Sequence, residues 1–388
     1  MKKVVIFAPT YLPGFKGGGP VQSINNIVEN LSERFDFYII TSDRDKGDRV
    51  PYYNITSNKW IKRKNYNIFY SKHKSIKVIK QQLNKIKPDI VYLNTFFSWK
   101  DSIKIVMLKK IIKMNAQIII APRGEFDSGA LSIKKKKKKL FINIYKLLKL
   151  DKNVTWHATT NKEYDNIKKI FPNAKKIVIA GNLTDNYEKL ELKNRIKDRG
   201  ILKLVFISRI SEKKNLLMCF EILSQINEGS IIFSIYGPIE NREYWSTCKK
   251  RIKELPDNIK VFYEGEIEHK RINDVLSENH FFFFPTLGEN YGHVISEALV
   301  SGCPVIISTE TPWNDLSKKR VGWDIPLNDK KKYIEIINKC VKMNQEDFQE
   351  MSIKAFEYAK NSSALQYNID LTERMLISGG NDEILRKD

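Results

Sequence analysis

Two carboxylates stand where a single ligand could meet both. Glu289 and Glu297 lie eight positions apart within FFFFPTLGENYGHVISEALVSGCPVIIS, residues 281–308. The apolar run ending at Pro285 reads as a strand. Residues 286–288 read as a turn, Ala298 and Leu299 as part of a helix, and Gly302 and Pro304 as its stop. The run 305–307 reads as a second buried strand. This places Glu289 in a loop and Glu297 about two turns into a helix, whose first N–H groups would face an anion. Two acceptor-only groups beside such amides suit a ligand that carries phosphates between two sets of hydroxyls, as a nucleotide sugar does. Taken alone, the same spacing also fits two solvated helix carboxylates.

Two cations lie upstream. Arg209 and Lys214 are five apart after the apolar strand 202–208, across a strand-to-helix turn. Both can converge on one anion above a helix N-terminus. Near the start, strand 4–8 runs into a loop with Gly17, Gly18 and Gly19, then a helix over 21–32. Glycines there let a backbone approach a ligand, or leave the loop flexible. GFKGGGP is not G-x-G-x-x-G, so no dinucleotide fingerprint is present. Pro122-Arg123-Gly124-Glu125 follows strand 117–121, at the end where open α/β sheets bind ligands. Arg123 fits either a ligand contact or a structural ion pair. His157, on strand 154–160, fits either a cleft lining or a satisfied core histidine. His293 fits either a ligand contact or a helix cap.

The elements that must position these groups alternate strand and helix throughout, which predicts α/β architecture with parallel sheets covered by helices on both faces. A length of 388 residues predicts two domains. No apolar run approaches 18 residues, so no transmembrane helix is expected. MKKVVIFAPTYLPG lacks a small-residue cleavage site and reads as a first strand rather than a signal peptide. Cys219, Cys248, Cys303 and Cys340 form no C-x-x-C pair, and the five histidines show no metal-ligand spacing, so a reducing cytoplasm fits. The net charge, 67 minus 45 or +22, implies an anionic partner, although Lys-Asn-Ile bias contributes to it. The aromatic-glycine patterns of RNA-binding modules are absent, and no nucleic-acid partner is expected. A run of six lysines from Lys134 to Lys139 precedes LFINIYKLLKL, a basic, partly amphipathic segment suited to an anionic membrane surface.

The segment around Glu289, Gly292, Glu297, Ala298, Leu299 and Gly302-x-Pro304-Val305 resembles the E-x7-E element of retaining glycosyltransferases of family 4, which have the GT-B fold. Arg209 and Lys214 match that family's R-x4-K element. Gly237-Pro238 resembles its Gly-x-Gly-Pro loop, and Gly265-Glu266-Ile267 the loop whose backbone reads the nucleobase. PRGEFDSGAL resembles the PRG…AL stretch of members that build bacterial surface polysaccharides. His157-Ala158-Thr159-Thr160 resembles a His-Ala-Thr-Ser strand, and residues 181–185 the turn that ends the first domain. Asn94-Thr95-Phe96 departs from the family, where many members carry a histidine.

The resemblance implies two Rossmann-like domains with parallel sheets facing a central cleft, and a C-terminal helix crossing back. The divisions are 1–185 for the acceptor, 186–364 for the nucleotide sugar and 365–388 for the crossing helix. Residues 186–200 are then a linker, and the tail beyond Gly379 is frayed. The resemblance also implies retaining transfer from a UDP or GDP sugar without cofactor or divalent metal. In that scheme Arg209 and Lys214 clamp the diphosphate, Glu289 binds donor sugar hydroxyls and Glu297 binds the ribose. The N–H groups of Asn290, Tyr291, Gly292 and His293 contact sugar or phosphate. Gly17, Gly18, Gly19, Arg123, Glu125 and His157 face the acceptor or line the inter-domain cleft, and the implied acceptor is a polyprenyl-diphosphate-linked glycan of a capsule, exopolysaccharide or O-antigen pathway. The implied location is cytoplasmic, peripheral on the inner face of the plasma membrane. The competing readings are a GT-B sugar-nucleotide epimerase, a non-catalytic basic module for membrane or nucleic acid, and a dinucleotide-dependent oxidoreductase.

Overall fold

The computed structural model describes the chain except residues 133, 185–190, 361–363 and 379–388, and the side chains of 110, 128 and 364. The tail beyond Gly379 and the first part of the expected linker lie outside the described residues. The chain divides into two units: Met1–Thr184 with Ser363–Asp388, and Asp185–Ser362.

Unit 1 contains the strands β1 (Lys2–Phe7), β2 (Phe35–Ser42), β3 (Trp60–Lys62), β4 (Asn67–Ser71), β5 (Ile90–Leu93), β6 (Gln117–Ile120), β7 (Thr155–Ala158) and β8 (Lys176–Ile179). Its helices are α1 (Gly19–Leu31), α2 (Ile76–Ile86), α3 (Lys104–Ile111), α4 (Ser128–Ser132), α5 (Lys135–Leu147) and α6 (Asn161–Ile170). The sheet runs β3-β4-β2-β1-β5-β6-β7-β8 and is parallel except for β3, which pairs antiparallel with β4. Strand alternation divides the core. Val5 and Phe7 of β1 face one cluster, which holds Phe96, Trp156 and Tyr145. Val4 and Ile6 face the other, which α1 and the closing helix cover. Phe96 sits within 6 Å of the ring centroids of Phe126, Phe141, Tyr145, Trp156 and Phe171, so one aromatic cluster fastens α5 to the sheet.

Unit 2 contains β9 (Ile201–Ile207), β10 (Ser230–Tyr236), β11 (Ile259–Gly265), β12 (Phe281–Phe284), β13 (Val305–Ser308) and β14 (Gly322–Ile325). Its helices are α7 (Leu216–Leu223), α8 (Arg242–Lys253), α9 (His269–Glu278), α10 (His293–Val300), α11 (Leu316–Lys319), α12 (Lys330–Lys342) and α13 (Gln345–Lys360). The sheet is wholly parallel, in the order β11-β10-β9-β12-β13-β14. All four phenylalanines of β12 are fully buried, as expected of a central strand covered on both faces. The four cysteines are free and buried. The chain then returns to unit 1 through α14 (Ala364–Ser378). There Gly181 N donates to Asn368 Oδ1 at 3.0 Å, and Arg34 pairs with Glu373.

Three local features differ from expectation. The polar stretch 43–63 contains β3, an edge strand too short to leave an alternating pattern. Helix α3 is entered through a π-helical turn at Trp99–Ile103, which an apolar pattern does not distinguish from an α-helical one. The described part of the expected linker is anchored rather than free. Arg195 donates to the carbonyls of Asn279 and Ser301 at 2.9 and 2.7 Å, and the buried Lys197 donates to Met343 O at 3.2 Å.

Candidate active site

From β9 the chain of unit 2 winds to one side through β10 and β11. From β12 it winds to the other through β13 and β14. Loops leaving β9 and β12 therefore part at this switch point, where open α/β sheets hold ligands outside the strands' carboxyl ends. Arg209 follows β9, Lys214 closes the short 3-10 turn Glu212–Lys214, and Glu289 follows β12.

Backbone bonds sew these loops together. Leu287 N donates to Lys213 O at 2.9 Å and Thr286 Oγ1 to the same carbonyl at 3.1 Å. Asn215, with φ of 57°, turns its side chain to donate to Pro285 O at 2.9 Å. Glu289 N donates to Glu310 O at 2.9 Å. Lys214 is about nine-tenths buried, pairs directly with Glu289 and lies 5.4 Å from the Phe284 ring centroid. Burial pushes the Lys214 ammonium below its ordinary range. Glu289 opposes that shift, while Arg209 adds to it. Nη1 of Arg209 donates to both oxygens of Glu240, at 2.7 and 2.6 Å. The structure therefore gathers Arg209, Lys214 and Glu289 on one edge, with each cation held by a carboxylate.

Glu297 lies on α10, its Oε1 3.0 Å from His269 Nε2. Gly292 precedes α10 at φ 80°, and an added Cβ would come within 2.8 Å of Ile295 Cδ1. His293 opens the helix and meets Tyr291 edge to face at 4.9 Å. Trp313 packs on Tyr291 and donates its Nε1–H to Tyr291 O at 2.6 Å, which shapes the loop containing Asn290. Burial pushes the Tyr291 hydroxyl up to about 12. Gly237 N donates to Gly265 O at 2.7 Å, so the turns after β10 and β11 are joined. Exposed Glu266 and half-buried Ile267 follow. Glu240, His269 and Trp313 were not singled out in the sequence. Their partners lie 31, 28 and 22 residues away, and no local spacing links them.

In unit 1, Gly17, Gly18 and Gly19 follow β1 and lead into α1. A Cβ on Gly17 would meet Thr10 Oγ1 at 2.4 Å, so the loop turns tightly. Arg123, with φ of 54°, is a structural hub. It donates to Asn94 Oδ1 at 2.9 Å and Tyr92 Oη at 2.8 Å, and also bonds Asn182. Among the described residues no carboxylate partners it, and neutral acceptors stand in place of the ion pair that was one of its two readings. Glu125 accepts from the amides of Phe96 and Phe97 at 2.6 and 3.1 Å and from Thr95 Oγ1 at 2.7 Å. Its burial pushes its carboxyl up. It holds the loop after β5 rather than reaching outward. His157 is buried and fully occupied: Tyr92 O–H donates to Nδ1 at 2.7 Å, and Nε2–H donates to Ala180 O at 2.8 Å. Of its two readings, the core histidine is the one observed. Burial depresses its pKa to about 3.

Residues 188–361 match the family model described as Glycosyl transferases group 1. An "Uncharacterized 41.2 kDa protein in cps region" of Klebsiella pneumoniae is 24% identical over 328 residues, spanning 83% of this chain and 86% of that protein. Among solved structures, sucrose-phosphate synthase from Thermosynechococcus elongatus aligns with TM-score 0.73 at 14% identity, over 98% of this chain and 100% of that one. Anabaena Alr3699/HepE in complex with UDP-glucose aligns with TM-score 0.70 at 13% identity, over 97% and 99%. WaaG, a glycosyltransferase involved in lipopolysaccharide biosynthesis, aligns with TM-score 0.63 at 12% identity, over 97% and 100%. These likenesses show the fold, two open parallel-sheet α/β units of the GT-B kind. Together with the family match over unit 2, they support a glycosyl transfer role for this chain.

Proposed function

We propose that the chain is a retaining glycosyltransferase acting from a nucleotide diphosphate sugar. The observation that carries the reading is the Lys214–Glu289 pair beside Arg209 at the switch point of unit 2. A nearly buried cation with a single carboxylate partner is a site that a diphosphate can take over, while the carboxylate turns to sugar hydroxyls. In the reaction, the anomeric C–O bond to the diphosphate breaks and a bond to the acceptor hydroxyl oxygen forms on the same face. The acceptor proton passes to the leaving phosphate oxygen, and the nucleoside diphosphate departs. Arg209, Lys214 and amides at the start of α10 stabilise the charge that develops on the leaving group, and Glu297 binds the ribose. In this scheme the cations do the work that a divalent metal does elsewhere, and the nucleotide sugar is the only cofactor-like species.

The donor is a UDP or GDP sugar. The complex of HepE with UDP-glucose makes UDP sugars the first to test. The relative from a cps region and the likeness to WaaG favour a surface-polysaccharide acceptor, which we take to be a polyprenyl-diphosphate-linked glycan met at the cytoplasmic membrane face. Thermal shifts against a panel of UDP and GDP sugars identify the donor, because a ligand bound only to the native state raises the melting temperature. With that donor, Lys214→Ala is expected to lower transfer roughly 100- to 1,000-fold, the range for removing one preorganised electrostatic contact. Unchanged turnover in a folded Lys214→Ala protein would remove the assignment.

A further inference from the structure

We infer that unit 1 carries a binding pocket for the phosphate headgroup of an anionic lipid, at the sheet edge opposite Arg123. A cavity of about 530 Å³ opens there. It is lined by the first residues of β6, β7 and β8, namely Gln117, Thr155 and Lys176, and so lies at the strands' amino ends. Its floor is apolar, with Val106, Ile118 and Val154. Its rim carries Lys109, Lys113, Lys152, Lys175 and Lys176, and no acidic residue lines it. Five ammonium groups around one apolar floor, without a lining carboxylate, are complementary to a phosphate on an apolar body. Lys109 is half-buried, and burial alone lowers its pKa, a shift that an arriving anion would oppose.

A soluble phosphate would explain the lysines but not their surroundings. Lys152 also lines a second cavity of about 420 Å³ with Lys146, Lys149 and a single carboxylate, Asp151, and this cavity joins the cationic rim to the end of α5. On α5, Phe141 and Tyr145 pack into the core, while Leu140, Ile144 and Leu147 are 62%, 40% and 80% exposed. Their spacing of four and three residues makes one outward apolar stripe. Ile111, between Lys109 and Lys113 on the chain, is 70% exposed. Exposed aliphatic side chains interleaved with lysines match an anionic bilayer surface, with the acyl region taking the stripe and the headgroup taking the pocket. Single-stranded nucleic acid would instead call for exposed aromatic platforms, and a duplex would leave the exposed aliphatic stripe without a partner. The inference goes beyond a basic helix resting on a membrane, and it does not depend on the donor chemistry in unit 2.

The test is co-sedimentation of the full chain with vesicles of phosphatidylglycerol in phosphatidylcholine, against pure phosphatidylcholine. The triple variant K109Q/K152Q/K175Q is expected to lower partitioning roughly 100-fold, given three charges near the surface. The charge-matched K249Q/K250Q/K253Q on exposed α8 is expected to lower it less than about threefold at physiological salt. L140S/L147S is expected to lower it also, with the melting temperature nearly unchanged because both side chains are mostly exposed. Equal losses in the two lysine variants would overturn the pocket in favour of general charge. Binding of inorganic pyrophosphate that depends on the cavity lysines, without selectivity for the anionic vesicles, would overturn the lipid.

Discussion

Lys214 has spent its charge on Glu289 before any ligand arrives, and that arrangement couples stability to binding. Removing one partner of a nearly buried pair leaves the other uncompensated, whereas removing both can be close to neutral. Glu289→Gln is therefore expected to destabilise unit 2 by about 3 kcal/mol in urea unfolding. The double variant Lys214→Met, Glu289→Leu is expected to recover most of that loss while abolishing the donor-induced thermal shift. A Glu289→Gln protein as stable as the parent would show that the pair carries little energy. The family resemblance placed these two groups around one donor, and the structure brings them together. It could not show that they neutralise each other, because the pairing depends on loops 75 residues apart. The same holds for Arg123 and His157. Each is absorbed into a chain of hydrogen bonds running through Tyr92, whose members come from β5, β7 and the loop after β6.

Most strands and helices of both units were legible because buried parallel strands leave continuous apolar runs and their helices an apolar stripe, whereas the three-residue edge strand β3 leaves neither. What was not legible was contact between turns. Gly237 stands at φ 134°, and a Cβ there would fall 1.9 Å from Ser208 O, the residue before Arg209. Gly265 stands at φ 80° with nothing within 4 Å. Both conformations disfavour L side chains, but only the first also forces a neighbour to move. Gly265→Ala is expected to cost about 1 kcal/mol and keep donor binding. Gly237→Ala is expected to cost more than about 2 kcal/mol and to weaken the donor-induced thermal shift by displacing Arg209. Equal behaviour of the two variants would refute the steric account. The anchored segment before β9 makes a parallel case. Arg195→Ala strips donors from the carbonyls of Asn279, Ser301 and Gly302, and is expected to lower unit 2 stability by about 3 kcal/mol in the same measurement. No pattern in a polar stretch announces such an anchor, since a half-buried arginine looks like any other arginine in the sequence.

At the scale of the molecule, each unit holds one neutral buried histidine, and this sets its response to acid. In unit 2, His280 Nδ1 accepts from Lys203 N at 3.0 Å and Nε2–H donates to Ile196 O at 3.0 Å. Both nitrogens are committed to the neutral form, and burial lowers the pKa to about 4. His157 plays the same part in unit 1 at about 3. Because the folded pKa lies below the ordinary 6.5, the unfolded chain takes up the proton first. Stability is therefore full above about pH 6.5 and is lost as pH falls toward 4, by as much as about 3 kcal/mol from His280 alone. The net charge of +22 adds self-repulsion that also grows in acid, but exposed charges are screened by salt and buried titrations are not. Urea unfolding between pH 7.5 and pH 4.5, at low and at roughly 0.5 M salt, separates the two effects. The expected result is a fall in stability that persists at high salt and that flattens, for unit 2, in His280→Gln. A profile that salt abolishes, or that His280→Gln leaves unchanged, would assign the acid sensitivity to surface charge instead.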